Sequence, residues 1–347
     1  MTYQTPEDRL AAVEGVLAAL EGKNRAVLTT HLNADGDGVG SQVAFASWLR
    51  TRGIEAWIVN PTPFPERYRF LLGDDSCIAP ASEPTTEELC RDADVAIVLD
   101  TGEKHRIGRV RPLIKELPTI VIDHHPMGEE PIEGVSFRAP DASATGELVF
   151  DILSVAGWAW TEEALRGIYV AILTDTGGFR FSNTTAVCHQ VVGELIARGV
   201  QPEAMYREVF GTLSLRRVQL LMHSLSQLEV DEEAGVAWMT IPSKEYEELG
   251  AVPDDLENLV DYPRSISGVK VALLFREIRP NATKISFRSN GPVDVNALAG
   301  EFGGGGHVRA AGALVEGSVE NVRIEVVAAT RRASMSVGSP SGTESQE

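Results

Sequence analysis

An aspartate followed by two histidines, Asp123-His124-His125, closes the apolar run from Thr119 to Ile122. Comparable stations recur along the chain. His31, Asp35 and Asp37 follow the run Ala26 to Thr30, Asp100 follows Val95 to Leu99, and Asp175 closes a fourth element in Thr174-Asp175-Thr176-Gly177. Ligands of open α/β sheets bind where strand carboxyl ends converge, so four acid- or imidazole-bearing stations at such ends predict one shared site. A mononuclear site cannot use so many donors, whereas a two-metal hydrolytic centre can. The chemistry this predicts is phosphoester hydrolysis.

Spacing sharpens the assignment. Asp35 and Asp37 flank Gly36, and a tight turn there can aim two carboxylates at neighbouring ions. The plain alternative is a turn with a capping aspartate before a helix. A glycine-rich nucleotide loop is a superficial match to Gly36, Gly38 and Gly40. His31 adds a nitrogen donor, which suits Mn²⁺, Zn²⁺ or Fe²⁺ better than Mg²⁺ alone. In the Asp123 triplet, adjacent side chains diverge, so one imidazole can ligate while its neighbour faces substrate and Asp123 orients a ring. Helix capping and turn chemistry are the simpler readings of Asp100 and Asp175. Gly303 to Gly306 precede His307, and four glycines lose much entropy on ordering. The run therefore reads as close backbone approach to an anion or base, through exposed N–H groups of Gly304, Gly305 and Gly306. A flexible linker is the alternative. His307 and Arg288 are the side-chain partners such a phosphate or base would need.

These residues require strands to present them. Strand-like runs at Ala26–Thr30, Glu55–Val59, Val95–Leu99 and Thr119–Ile122 alternate with helical patterns, which predicts a mostly parallel sheet with helices on both faces. An apolar stripe within Thr5–Glu21 and patterns at Gly38–Arg52, Thr145–Gly157 and Glu162–Leu173 are the helices. Further strands are expected at Val236–Ile241, Val269–Glu277 and Thr283–Arg288, followed by the glycine run and a helix to about Ala329. The fold class is thus α/β in two domains, as 347 residues lead one to expect. The expected division is a catalytic domain over 1–195, a helical connector over 196–227, a smaller α/β substrate-binding domain over 228–330, and a disordered tail over 331–347.

Composition excludes several classes. Apolar and charged shares of 43% and 23% are those of a soluble globular protein. No apolar run is long enough to span a bilayer, and the polar, acidic start lacks the character of a signal peptide, so no membrane association and a cytoplasmic location are expected. Cys77, Cys90 and Cys188 are odd in number and scattered, which predicts buried free thiols. A net charge of −19 excludes a non-specific duplex binder but not a short nucleotide substrate. Between Arg264 and Arg309, seven basic residues face three acids, a local excess that makes Arg264 and Arg288 candidate anion contacts.

Taken together, His31/Asp35/Asp37, Asp100, Asp123-His124-His125, Asp175 and the Gly303–His307 run resemble the DHH phosphoesterases with a DHH-associated C-terminal domain. The resemblance spans about residues 10 to 330. Chain length, Asn33-Ala34 and the glycine run are most similar to the nanoRNase branch. That branch combines oligoribonuclease activity with phosphatase activity on pAp (3′-phosphoadenosine 5′-phosphate). The resemblance implies two divalent cations, Mn²⁺ favoured: His31 and Asp35 hold one, Asp37, His124 and Asp175 the other, and Asp100 bridges. It further implies that His125 faces the scissile phosphate, that Asp100, Asp123 and His125 form the catalytic group, and that Arg106 contacts substrate. The active site would lie in a cleft between the domains. The expected partners are short single-stranded RNA or DNA, dinucleotides and pAp, with a homodimer compatible with the family. A linear or cyclic dinucleotide phosphodiesterase is the nearest rival. The glycine run argues against a pyrophosphatase, chain length against a larger exonuclease, and the complete ligand set against an idle nucleotide sensor.

Overall fold

The computed structural model describes residues 3–73, 77–80, 82–157, 159–241, 243–256 and 258–336. The chain divides into two compact units, Met1–Thr212 and Leu213–Glu347.

The first unit runs α1 (Glu7–Leu20), β1 (Arg25–Thr29), α2 (Gly36–Thr51), β2 (Glu55–Ile58), α3 (Pro84–Arg91), β3 (Val95–Leu99), α4 (Arg111–Ile114), β4 (Thr119–Asp123), β5 (Val135–Arg138), α5 (Thr145–Ala156), α6 (Glu162–Asp175), α7 (Ala186–Ala197) and α8 (Pro202–Tyr206). All five strands are parallel, in the order β2-β1-β3-β4-β5. Because β2 and β3 lie on opposite sides of β1, the winding direction reverses between β1 and β3. At such a switch point the two following loops diverge and leave a crevice at the strand ends.

β3 is buried at every residue, as a central strand covered on both faces should be. Alternate strand residues feed two cores. Ala26, Leu28, Ile97 and Leu99 join Phe45, Trp48, Phe150 and Ile172 on one side of the sheet. Val27, Ala96, Val98 and Val121 join Val110 and Ile114 on the other. α2 is buried around most of its circumference, so its sequence shows little of the one-sided pattern of a surface helix. Its tightest neighbour is α6. A Cβ added at Gly40 would lie 2.3 Å from the Gly167 carbonyl oxygen, and one at Gly167 would lie 2.5 Å from that of Gly40. Only glycine at both positions lets the two backbones touch, with Ala44 and Ala171 flanking the crossing.

The second unit comprises α9 (Leu215–Ser226), β6 (Glu229–Asp231), β7 (Val236–Ile241), α10 (Ser243–Glu248), α11 (Asp261–Arg264), β8 (Val271–Arg279), β9 (Ala282–Ser289), α12 (Val295–Gly300), β10 (Gly305–His307), β11 (Ala310–Glu316) and α13 (Val319–Ser336). Its six-stranded sheet has the order β10-β11-β9-β8-β7-β6, antiparallel except for β7 against β8.

The expected strands and helices recur within a few residues, and the structure adds β5, β6, β10 and β11. Two expectations change. Arg331–Ser336, assigned to the tail, continue α13, because Arg331 pairs with Asp231 at 2.6 Å and the buried Ser334 hydroxyl donates to the Ala234 carbonyl at 2.6 Å. Residues 337–347 lie outside the described residues. The glycine run is not an open loop either: its second half is β10, in a hairpin with β11. All three cysteines are buried. No helix among the described residues is long and apolar enough to cross a membrane.

Candidate metal centre

The loops after β1 and β3 bring His31, Asp35, Asp37 and Asp100 to the switch point, and the end of β4 adds His124 and His125. Asp175 comes from a different kind of element, the last turn of α6. The α2–α6 crossing accounts for its arrival, since Thr174 packs on Gly36 at the start of α2.

Donor atoms of His31, Asp35 and Asp100 lie within 4.8 Å of one another, as do those of Asp37, His124 and Asp175, and those of Asp100, His124 and His125. His31 is anchored by Nδ1 at 2.9 Å from the Leu32 carbonyl, which turns Nε2 toward Asp100 Oδ2 at 3.2 Å and Asp35 Oδ1 at 3.7 Å. His124 repeats the device. Its Nδ1 sits 3.3 Å from the Ala142 carbonyl, and its Nε2 is 3.6 Å from Asp37 Oδ2 and 3.7 Å from both Asp100 Oδ1 and Asp175 Oδ2. A ring whose Nδ1 is tied to a carbonyl offers the Nε2 lone pair, the usual arrangement of a metal-ligating histidine. The buried Nε2 of His124 has no hydrogen-bond partner among the described residues, although three carboxylates surround it. Those distances are too long for hydrogen bonds and suit a cation held between the donors. The residues therefore fit a divalent-metal centre.

Electrostatics agree. Burial and the neighbouring carboxylates of Asp37 and Asp35 push Asp100 well above the ordinary aspartate range. Burial likewise raises Asp37, against His124, and raises Asp175 to about 7 with help from Asp37. Burial opposes a charge on His31, yet its hydrogen bonds to Asp100 and Asp35 outweigh that and lift it to about 10. The cluster demands positive charge, and divalent cations meet that demand.

Asp100 carries a second mark. Its φ is +61°, in the left-handed region, while the residue is almost fully buried. Non-glycine residues there are uncommon and concentrate at functional sites. Asp100 N–H donates to the Ile122 carbonyl at 2.9 Å, which extends the β3–β4 ladder and holds the conformation. Asp123 plays a different part. Its Oδ1 accepts from the His125 backbone N–H at 3.0 Å and lies 2.9 Å from His125 Nδ1. Arg138 pairs with its other oxygen at 3.2 Å. His125, about one-third exposed, thus has Nδ1 tied to Asp123. The capping alternative for Asp35 is realised as well, since its Oδ1 accepts from Asp37 N–H and Gly38 N–H at the start of α2.

Comparison with known proteins settles the family. Residues 25–173 match the DHH family, N-terminal domain, and residues 236–332 match the DHHA1 domain. The bifunctional oligoribonuclease and PAP phosphatase NrnA of Thermus thermophilus is 34% identical over 313 residues, 89% of each chain. The chain belongs to the DHH family. The Bacillus subtilis protein of the same name is 29% identical to this DHH chain, over 83% of it and 88% of the relative. The crystal structure of an exopolyphosphatase-related protein from Bacteroides fragilis superposes with a TM-score of 0.86 at 28% identity, covering 94% of this chain and 96% of that one.

Substrate-side candidates divide between the units of this DHH protein. In the DHH unit, the Arg106 carbonyl accepts from Leu32 N–H at 2.8 Å, which sets Arg106 beside the first motif. Its guanidinium has no hydrogen bond or ion pair among the described residues. In the DHHA1 unit, Arg264 pairs with Asp261 at 3.2 Å, and burial together with Arg264 holds the Arg288 guanidinium below its ordinary value. Strand register aligns Arg288, Ala310 and His307 in one row across β9, β11 and β10. The His307 side chain lies outside the described residues. Gly304 and Gly306 have a local reason to be glycine: a Cβ at either would meet the backbone of β11 within 2.5 Å. Gly304 N–H donates to the Ala299 carbonyl at 2.9 Å and Gly306 N–H to Asn296 Oδ1 at 2.8 Å, so these two amides are not the exposed N–H groups expected of an anion-binding run. A Cβ at Gly305 would meet only Asn296 Oδ1, at 3.7 Å.

Residues absent from the sequence reasoning also reach the centre. Thr145 N–H and Gly146 N–H, at the start of α5, donate to Asp37 at 2.7 and 3.0 Å, and the Thr145 hydroxyl donates to Asp100 Oδ1 at 3.1 Å. Asn183 Nδ2 reaches Asp175 Oδ2 at 3.2 Å. The small polar residues of Ser143-Ala-Thr-Gly-Glu147, just ahead of an apolar helical run, form a capping-type pattern that could have marked α5 as an anion-holding terminus.

Proposed function

We propose that this chain is a two-metal phosphoesterase that degrades short oligonucleotides to nucleoside monophosphates and removes a phosphate from pAp. The observation that carries the reading is the convergence of His31, Asp35, Asp37, Asp100, His124 and Asp175, in a chain covering nine-tenths of an oligoribonuclease and PAP phosphatase. On this reading His31 and Asp35 hold one cation, Asp37, His124 and Asp175 hold the second, and Asp100 serves both, with Mn²⁺ the favoured metal. When bound, the two cations supply charge for the phosphoryl oxygens and acidify the attacking water. His125, fixed through Asp123 and Arg138, would stabilise charge on the reacting phosphate. Arg106 would contact substrate in the DHH unit, and Arg264, Arg288 and His307 would be the anion contacts of the DHHA1 unit. A chain of charge −19 has little surface on which a long strand could slide, which favours short substrates.

The test is product analysis with Mn²⁺ on pAp, pGpG, cyclic di-AMP, an RNA ladder of two to ten nucleotides, and inorganic polyphosphate. The proposal expects AMP from pAp and mononucleotides from the shortest RNAs. Cleavage confined to cyclic di-AMP or to polyphosphate would replace it.

A further inference from the structure

Arg9 belongs to α1, ahead of the segment that matches the DHH domain, yet it is buried and its contacts lead to the metal centre. One of its nitrogens donates to Glu147 Oε1 at 2.7 Å and to Asp151 at 3.1 Å, and the other reaches Asp141 at 3.0 Å. The Tyr3 hydroxyl donates to the other oxygen of Asp151 at 2.5 Å. Glu147, fully buried on the first turn of α5, uses its second oxygen to accept from Ser143 N–H at 3.1 Å and from the Ser143 hydroxyl at 2.6 Å. The Ser143–Gly146 turn held this way is the segment whose amides grip Asp37 and whose Thr145 hydroxyl grips Asp100. The Ser143 carbonyl also accepts from Asn183 Nδ2, the amide that reaches Asp175.

We propose that Arg9 and Glu147 are positioning residues for the metal centre: the buried Arg9–Glu147 pair clamps the Ser143–Gly146 turn and so fixes the Asp37 carboxylate. The inference rests on the two-metal reading. A buried arginine with three carboxylates around it is a weak source of stability, since desolvation consumes much of the attraction. It is, however, a rigid one. The guanidinium fork fixes Glu147, and Glu147 leaves the turn no second arrangement for its amides. Both amides point at Asp37, assigned to the Asp37/His124/Asp175 group, whereas His31 and Asp35 receive nothing from this turn. The clamp therefore acts on one of the two cations more than on the other.

Mn²⁺ binding to the metal-stripped full chain distinguishes this role from simple stability. Free Mn²⁺, followed by its EPR signal during titration, reports both affinities without any turnover. For Glu147→Gln and Arg9→Met the proposal expects one of the two affinities to weaken about tenfold, at the lower end of what outer partners of metal ligands contribute. The other should stay within about twofold, and Arg9→Lys should recover part of the loss. Should the buried variants fail to fold, Ser143→Ala removes the 2.6 Å hydroxyl contact to Glu147, along with a contact to the Cys188 thiol, and should shift the same affinity in the same direction. Two wild-type affinities with neither altered in Ser143→Ala or in any folded variant of Arg9 or Glu147 would overturn the clamp and leave the two-metal reading standing, as would equal weakening of both. Fewer than two wild-type sites would overturn the two-metal reading itself.

Discussion

Replacing Asp100 by asparagine should make the metal-free protein more stable and the enzyme inactive, a combination that only a liganding carboxylate explains. Asparagine keeps the shape, tolerates the +61° φ and can still accept the Thr145 hydroxyl, so the fold loses little. What it removes is a buried charge. Asp100 Oδ1 and Asp37 Oδ2 both lie within 3.7 Å of His124 Nε2 and so are no more than about 7 Å apart. At an effective dielectric of about 20, unit charges about 7 Å apart repel by about 2.4 kcal/mol. The attraction to His31, 3.2 Å away on the other side, opposes this repulsion, but burial adds to it, and the net of all these holds the Asp100 carboxyl well above its ordinary range. Removing the buried charge should therefore return about 1–2 kcal/mol. For a unit of this size that raises Tm by roughly 2–8 °C. The assay is thermal unfolding in EDTA and in Mn²⁺ at pH 7.5, paired with pAp hydrolysis. Wild type should gain much more from Mn²⁺ than Asp100→Asn does, and the variant should lose roughly a thousandfold in turnover. A variant less stable than wild type in EDTA, with an undiminished response to Mn²⁺, would refute the argument and make Asp100 a structural residue.

Other consequences can be checked alongside. Asp175 near 7 and His31 near 10 both retain protons in the fold that the unfolded chain has already released. Their stabilisation is complete below the unfolded values and is lost as pH rises through the folded ones. Urea midpoints of metal-free protein should therefore fall from pH 5 to 9, less steeply at the acid end in Asp175→Asn, and a flat profile contradicts the assignment. Gly40→Ala places a methyl 2.3 Å from the Gly167 carbonyl oxygen; it should cost at least about 1–3 kcal/mol in urea unfolding and lower activity as Asp175 moves from Asp37. Arg288→Ala and His307→Ala should raise KM for di- to pentanucleotides roughly ten- to a hundredfold, with a smaller loss in kcat. Unchanged kinetics in both would remove the DHHA1 unit from substrate binding.

Much of the centre was legible because every donor but Asp175 comes from the stretch that follows an apolar strand, and a parallel sheet collects strand ends; Asp175 ends a helix instead. Strand identities followed from the same runs, β3 residue for residue. What was not legible depended on tertiary contact. The Arg9–Glu147 pair joins residues 138 positions apart, and neither residue type advertises a partner. α2 conceals its packing because nearly every face is buried, and the Gly40–Gly167 contact looks in sequence like two unrelated small residues. β10 and β11 escaped because glycine and alanine are poor strand formers, and they pair here through hairpin geometry. The last turn of α13 reads as polar tail until its contacts with Asp231 and Ala234 are seen.

The central claim, that two cations bound by these six residues hydrolyse phosphoesters, is tested most directly by AMP release from pAp at increasing Mn²⁺ bound per metal-stripped chain. The account predicts negligible turnover up to one bound ion and full turnover at two. Full turnover at one bound ion, or in excess EDTA, would contradict it.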